Sequence, residues 1–266
     1  MSTFRSSDAQ LYYEIAGNGP DLVLLHPFPL NHNFWKGVAE RLSTRYRLIL
    51  PDLRAHGESE PGDGAATMKK LADDLAALCR ELRIQKAHFV GVSIGGYTLF
   101  EFWRRHREQV RSLVLSNTRA SAETPEGRAN RLALADKVLR EGTGAFLKEM
   151  LEKLLSPATR TNRPDIVDAA LRMMQQMSPQ DIASVQQGMA DRPDSIPTLK
   201  TINVPALIVS GEEDTLTGLA EAELMRQSIA GSEIKMVPKA GHYSPWEQPD
   251  AVGKMLRQFA DAVYAG

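Results

Sequence analysis

The stretch HFVGVSIGGYTL, residues 88–99, places one serine between two glycines directly after an apolar, β-branched run. The run predicts a buried strand that ends near Val92, and the residues after Ser93 predict a helix. Gly91, Ser93 and Gly95 fit the pattern G-x-S-x-G, in which small residues let the strand and the helix approach while the serine takes a strained backbone geometry. In this context Ser93 is predicted to be a nucleophile, whereas an ordinary tight turn would need glycine but no partner elsewhere.

The same alternation of strand and helix runs through both ends of the chain. Strands are predicted at 11–16, 22–26, 46–53, 87–93, 110–117, 205–211 and 233–242, and helices at 34–43, 67–83, 94–106, 218–230 and 248–264. Most of the strands are continuous apolar runs, as is typical of a parallel sheet that is covered on both faces. We therefore expect an α/β fold with a mostly parallel, doubly wound sheet.

One long stretch interrupts this alternation. Residues 119–200 show helical patterns only, and proline, glycine or serine separates the helices. We interpret this stretch as a helical insertion over the carboxyl edge of the sheet. The expected organisation is a core domain of residues 1–118 and 201–266, with residues 119–200 as its cap.

Composition and charge exclude several classes of protein. The formal net charge of the 266 residues is −1, so a nucleic-acid partner is not expected. No run reaches the roughly 18 apolar residues that span a bilayer, and the amino terminus lacks an apolar signal core. We therefore expect no membrane partner and a cytoplasmic location. Cys79 is the single cysteine and lies on the apolar face of a predicted helix, where it is expected to be buried. The oligomeric state cannot be read from the sequence.

Two other segments supply the partners that a serine nucleophile needs. A serine hydroxyl requires a base that removes its proton, and an imidazole can do this near neutral pH. A carboxylate behind the imidazole fixes its tautomer and stabilises the cation that forms. Asp214 and His242 each follow a predicted strand, so both should lie with Ser93 at the carboxyl edge of the sheet. The order Ser, Asp, His along the chain is the one associated with this type of sheet.

Other candidates for the acid and the base fit less well. His32 and His56 lie in loops without a suitable carboxylate arrangement. Glu212 and Glu213 adjoin Asp214 and should point elsewhere on the turn. The acid can also follow the strand 110–117 in such sheets, but the residue there is Asn117, which cannot carry a charge.

Backbone N–H groups are the expected donors to the negative charge that develops on a carbonyl oxygen. One is the N–H of Ile94, directly after the nucleophile and at the positive end of a helix. The second should come from the loop HPFPLN, residues 26–31. Because proline has no N–H, Pro27 and Pro29 cannot donate, and Phe28 between them is the predicted donor.

These motifs together resemble those of the α/β-hydrolase superfamily, in its serine carboxylesterase and enol-lactonase-like branch, over nearly the whole chain. The matching segments are LLHPFPLN (24–31), PDLRAHGES (51–59), GVSIGG (91–96), IVSGEED (208–214) and AGHYSPWEQP (240–249), the last with the Glu247–Pro249 pair that often follows the histidine. The chain departs from the family pattern at Pro27 and Ala55, where glycine is usual.

The resemblance, together with serine at the elbow, implies a serine hydrolase that forms an acyl-serine intermediate. Its substrates would be small to medium carboxylic esters or lactones, with water as the second reactant and with no metal and no organic cofactor. Three alternatives stay open. They are a cofactor-free perhydrolase, a lactonase similar to 3-oxoadipate enol-lactonase, and a ligand sensor or signalling protein on the same fold that turns over slowly or not at all.

Aromatic and methionine side chains are the candidates for the walls of the substrate pocket. Methionine adapts to irregular apolar ligands, although methionines at helical spacing also suit ordinary core packing. The candidates are Trp35, Tyr97, Phe146, Met150, Met173, Met177 and Trp246.

Overall fold

The carboxyl edge of one central sheet brings the predicted site together. The computed structural model describes residues 2–265, and within this range the sheet has eight strands. These are β1 (Ser2–Ser6), β2 (Ala9–Ala16), β3 (Asp21–Leu25), β4 (Arg47–Pro51), β5 (Ala87–Val92), β6 (Val110–Ser116), β7 (Ala206–Gly211) and β8 (Glu233–Val237). Their order across the sheet is β1-β2-β4-β3-β5-β6-β7-β8.

The strands from β3 to β8 run parallel to one another, while β2 pairs antiparallel with both β1 and β4. Strands β5 and β7 are buried along their whole length, as the continuous apolar runs predict. The mostly parallel, doubly wound α/β sheet is therefore confirmed.

Strand β1 is absent from the sequence prediction. Its residues STFRS are short and mostly polar, with no alternation to mark a strand. Backbone pairing with β2 forms it instead, from Ser2 opposite Tyr13 to Ser6 opposite Ala9. The inward-facing Ser6 also donates a hydrogen bond of 2.6 Å to the buried carboxylate of Asp74.

Helices fill the connections between the strands. They are α1 (Lys36–Leu42), α2 (Met68–Glu81), α3 (Ile94–His106), α4 (Pro125–Glu141), α5 (Gly144–Leu154), α6 (Pro157–Asn162), α7 (Pro164–Met174), α8 (Pro179–Ala190), α9 (Ile196–Leu199), α10 (Leu219–Ser228), α11 (Ser244–Glu247) and α12 (Pro249–Ala265). Two short 3-10 helices span His32–Trp35 and Arg107–Gln109. No helix in the described range 2–265 combines the length and the apolarity needed to cross a membrane.

Local sequence signals set many of the helix starts. The hydroxyl of Thr67 accepts from the Lys70 N–H at the start of α2 and so caps that helix. Ser178 and Asp181 form a reciprocal capping box at α8. Proline occupies the first turn of α4, α6, α7 and α8, where its missing N–H costs no helical hydrogen bond.

Helices α4 to α9 lie between β6 and β7, and we call residues 119–200 the helical segment. Its largest internal contact is between α4 and α8. On its other side α8 meets the loop before α2, where the Ser184 hydroxyl accepts from the Ala66 N–H and donates to the Gly64 carbonyl. The segment is thus attached directly to the loops of the sheet.

Candidate active site

Ser93 lies at the sharp turn between β5 and α3. Its backbone has φ 55° and ψ −114°, a left-handed conformation that is rare for a residue with a side chain. The surrounding chain holds this geometry, because the Ser93 N–H donates to Ser116 O at 3.1 Å and the Thr118 hydroxyl donates to Ser93 O at 2.8 Å. A Cβ at Gly91 would lie 2.5 Å from the backbone of Gly95, so the turn needs glycine there. The strained serine is the elbow that the sequence pattern predicts.

His242 and Asp214 form a hydrogen-bonded pair in the loops after β8 and β7. Nδ1 of His242 lies 3.0 Å from Oδ2 of Asp214, and both side chains are buried. A carboxylate at this distance accepts the Nδ1 proton and leaves Nε2 of the ring as the basic atom. His242 and Ser93 both line the same cavity.

Four further hydrogen bonds fix the carboxylate of Asp214. The N–H groups of Leu216 and Thr217 donate to Oδ1 at 2.8 and 3.1 Å. The hydroxyl of Thr217 and the amide of Asn117 donate to Oδ2 at 2.7 and 2.9 Å. Burial alone would raise the pKa of Asp214, but the attraction of His242 and these hydrogen bonds hold it well below its usual range. Asp214 is therefore a fixed, ionised partner for the imidazole.

Asn117 contacts Asp214, although from the sequence it was noted only as a residue that cannot carry the charge of a catalytic acid. It follows β6, has φ 44°, and is buried. Besides its bond to Asp214, its amide donates to Gly241 O at 3.2 Å, and the Ser244 hydroxyl donates to its Oδ1 at 2.6 Å. The available signal was its place at the end of a buried strand, β6, beside β7, the strand that precedes Asp214. Asn117 links both flanks of His242 to Asp214.

The loop after β3 holds the predicted donor Phe28. Neither the Phe28 N–H nor the Ile94 N–H donates to a backbone acceptor in the loops and turns of residues 2–265. The carbonyl of Phe28 accepts from the buried Tyr243 hydroxyl at 3.0 Å, one residue after His242. The Phe28–Pro29 peptide bond is cis. Phe28 also lines the cavity that contains Ser93.

His26 supports this loop from below. Its Nε2 accepts from the Leu53 N–H at 2.9 Å, so its Nδ1 carries the proton and donates to Pro27 O at 3.0 Å. Burial and repulsion by His56 lower the pKa of His26 to about 3. His26 is thus a neutral, structural histidine and not a second base.

The cavity above Ser93 has a volume of about 280 Å³. The helical segment supplies much of its wall, chiefly from α4, α5 and α8. One part of the wall is apolar and consists of Phe28, Tyr97, Leu134, Phe146, Met150, Leu154, Met189 and Leu216. Another part is charged and carries Arg119, Arg131, Glu149 and Lys153. The sequence offers Arg119 and Arg131 only among several cations of residues 119–200 and does not distinguish between them, because charge on a surface helix usually faces solvent.

Three of the predicted wall residues line the cavity, namely Tyr97, Phe146 and Met150. The other four do not, which corrects the expectation for Trp35, Met173, Met177 and Trp246.

The reason for the correction is core packing. Trp35 is fully buried with its ring centroid 5.1 Å from that of Phe34, and the ring of Trp246 also packs against Phe34, with a centroid distance of 5.8 Å. Met173 and Met177 are buried in the core, and the Met173 sulfur accepts from the Asn31 N–H at 3.4 Å. Within residues 2–265, no group of three His, Cys, Asp or Glu side chains is arranged to hold a metal ion.

Comparisons with known proteins agree with this geometry. Residues 20–249 match the model of the alpha/beta hydrolase fold. A thermophilic esterase from Thermogutta terrifontis, solved with malate bound, has 38% sequence identity and a TM-score of 0.94, covering 96% of this chain and 94% of its own. The enol-lactonase from Burkholderia xenovorans has 28% identity and a TM-score of 0.92, covering 98% and 100%.

The chain is also similar in sequence to an enol-lactonase from another organism. 3-Oxoadipate enol-lactonase 2 from Acinetobacter baylyi is 27% identical over 251 residues, which is 94% of this chain and 92% of that protein. The family match covers most of the chain, and the fold and the elbow accord with it. The chain therefore belongs to the α/β-hydrolase fold family.

Proposed function

We propose that the protein is a serine hydrolase that cleaves small to medium carboxylic esters or lactones through an acyl-serine intermediate. One observation carries the proposal. Ser93, held at a strained elbow, lines the same cavity as His242, and His242 is hydrogen-bonded to the buried carboxylate of Asp214 at 3.0 Å. The similarity to an esterase and to enol-lactonases supports the same class of reaction.

In the proposed first half-reaction, Oγ of Ser93 attacks the carbonyl carbon of the substrate. Nε2 of His242 takes the hydroxyl proton, and Asp214 stabilises the imidazolium that forms. The N–H groups of Phe28 and Ile94 donate to the oxyanion of the tetrahedral intermediate, each being worth roughly 3 kcal/mol in the transition state. His242 then gives its proton to the leaving alkoxide oxygen, and the carbon–oxygen bond breaks.

In the second half-reaction, water attacks the acyl group by the same route. His242 accepts a proton from the water and returns it to Oγ of Ser93, which releases the carboxylic acid. With a lactone, the alcohol stays tethered to the acyl group, so a single hydroxy acid leaves. No step of this sequence draws on a metal or an organic cofactor.

The cavity supports the limit on substrate size. Its volume of about 280 Å³ is at the lower end of the range for small-molecule sites. The helical segment supplies part of its wall, through Phe146 and Met150 of α5 and Met189 of α8. The proposal therefore assigns residues 119–200 the role of a cap over a core built from the rest of the chain.

The test combines labelling with turnover. A fluorophosphonate probe followed by peptide mapping should modify Ser93, and Ser93→Ala should abolish labelling and lower turnover of p-nitrophenyl acetate by more than about 10⁴-fold. Ser121→Ala is the matched control, because Ser121 follows β6 but does not line the cavity. Retained activity in Ser93→Ala would overturn the proposal. A single acylation without release would favour the sensor alternative.

A further inference from the structure

The charged part of the cavity wall is not balanced. Three lining side chains are cationic, namely Arg119, Arg131 and Lys153, while Glu149 is the one carboxylate among the described lining residues. An excess of positive charge in a partly closed cavity attracts anions and raises their local concentration. The individual partners of each cation decide which of them is available to a ligand.

Arg131 and Lys153 are not free to bind a ligand in isolation, because one has protein partners and the other is exposed to solvent. Nε of Arg131 donates to Glu123 at 2.6 Å, and another of its nitrogens donates to Gln186 at 2.9 Å. Lys153 is exposed and shares α5 with Glu149, four residues earlier. Solvent therefore screens the positive charge of Lys153.

A neighbouring arginine, Arg192, is engaged as well. Its guanidinium forms an ion pair with Glu123 and lies over the ring of Tyr97, 4.6 Å from the ring centroid. Glu123 is thus shared between Arg131 and Arg192. Both of these arginines contact Oε1 of Glu123, and within residues 2–265 no ion pair joins Glu123 to Arg119.

Arg119 differs from all of these. Its Nε is buried and has no hydrogen-bond acceptor within the described part of the chain, and no carboxylate there lies within the 4.0 Å of an ion pair. Arg119 follows β6 two residues after Asn117, so its backbone is anchored beside the catalytic set. Burial alone would lower the pKa of Arg119, but electrostatic attraction and a hydrogen bond to Tyr97, together with nearby carboxylates, raise it overall, so the guanidinium stays cationic.

Leaving a buried guanidinium nitrogen without an acceptor is unfavourable, and a carboxylate satisfies it best, because its two oxygens match the planar fork of N–H donors. We propose that Arg119 is the anion subsite of this cavity, and that the substrate is an ester or lactone that carries a free carboxylate. Arg119 binds that carboxylate while the scissile carbonyl lies at Ser93. This inference rests on the proposed function, and it goes beyond that function by assigning a charge to the substrate and a residue to its recognition.

The test compares esters that differ only in the distal group. The acyl pair is mono-p-nitrophenyl adipate and neutral p-nitrophenyl hexanoate, and the alcohol pair is p-acetoxybenzoate and neutral p-acetoxybenzamide. For at least one pair, Arg119→Gln should lower kcat/KM for the anionic ester by about 10- to 100-fold more than kcat/KM for the neutral ester, mostly through KM. Lys153→Gln is the matched control and should leave the ratio of anionic to neutral kcat/KM near that of the wild type.

Three outcomes decide the matter. Equal losses for anionic and neutral esters in Arg119→Gln would overturn the subsite. A second result would also overturn it. If Arg119→Gln keeps the wild-type ratio of anionic to neutral kcat/KM, and if Arg119→Gln and Glu221→Gln lose equal stability, then Arg119 pairs with Glu221 and not with a substrate. Glu221 is the relevant partner because its Oε2 is also buried without a hydrogen-bond partner. If neither ester is turned over by the wild type, the proposed hydrolase fails, and calorimetric titration with adipate tests the subsite alone. Binding that Arg119→Gln abolishes supports the subsite, and its absence in the wild type overturns it.

Discussion

Glu247 is predicted to be the side chain that locks the helical segment onto the loop of His242. Its carboxylate is buried, and its two oxygens accept from different parts of the chain. Oε1 accepts from the Gly241 N–H at 2.8 Å, and Oε2 accepts from the Ser156 N–H at 2.9 Å. Gly241 precedes His242, and Ser156 follows α5, whose side chains line the cavity.

The substitution Glu247→Ala leaves both N–H groups buried without an acceptor. Each unsatisfied group costs about 1–3 kcal/mol, so the free energy of unfolding should fall by about 2–6 kcal/mol. At about 2 °C per kcal/mol for a chain of this size, the melting temperature should fall by about 4–12 °C. Glu247→Gln keeps one acceptor oxygen and turns an NH₂ towards the other N–H, so its loss should be intermediate.

Urea unfolding and thermal unfolding measure the stability of each variant, and ester turnover at 25 °C measures the site. Turnover should also fall, by up to about 10²-fold, because the bond to Glu247 positions Gly241, which directly precedes the proposed base His242. Glu141→Ala is the matched control, since Glu141 is exposed at the end of α4 and should change stability by less than about 0.5 kcal/mol. A loss below about 1 kcal/mol in Glu247→Ala would refute the reasoning, because two buried donors cannot lose a shared acceptor at so small a cost.

Three further predictions concern titratable groups. The pKa of Asp214 is lower in the folded protein than its value near 4 in the unfolded chain, so the ionised carboxylate stabilises the fold above pH 4. This stability is lost as the pH falls through the folded pKa. Asp214→Asn should therefore flatten the acid limb of a plot of unfolding free energy against pH. The pKa of His26 is lowered to about 3, so between about pH 6 and 4 this side chain takes a proton only in the unfolded chain. The free energy of unfolding therefore decreases as the pH is lowered through this window. His26→Gln should reduce this slope by up to about 1.4 kcal/mol per pH unit. Burial raises the pKa of the Cys79 thiol to about 12, so iodoacetamide at pH 8 should leave the native protein unmodified and alkylate it fully in urea, as mass spectrometry would show.

The parts of the site that depend on local chain geometry could be predicted from the sequence. Ser93 is marked by a strand, a tight turn and a helix within twelve residues, and the structure places it at φ 55° between β5 and α3. Thr67 as the cap of α2 is a local signal of the same kind. The fold class follows from the alternation of such elements, because a parallel sheet needs helical crossovers.

The contacts between distant segments could not be predicted in this way. The sequence suggests Trp35 as an aromatic pocket wall, and it does not distinguish Arg119 from the other cations of residues 119–200. In the structure the indole is enclosed by core rings, and the guanidinium reaches a cavity. Which side chain faces a cavity depends on how the helical segment packs over the sheet, and hydrophobic periodicity does not contain that information. The bond from Asn117 to Asp214 likewise joins residues 97 positions apart.

The carboxylate of Asp214 explains why an amide, and not a second carboxylate, is suited to position 117. Both residues follow neighbouring strands and meet at 2.9 Å, so two carboxylates here would repel and one of them would take a proton. An amide avoids this, because it donates to Asp214 with one end and accepts from Ser244 with the other. Since Ser244 and Gly241 flank His242, the same amide connects Asp214 to the loop that carries His242. The single negative charge of this network therefore rests on Asp214, directly behind the imidazole, where the proposed reaction generates positive charge.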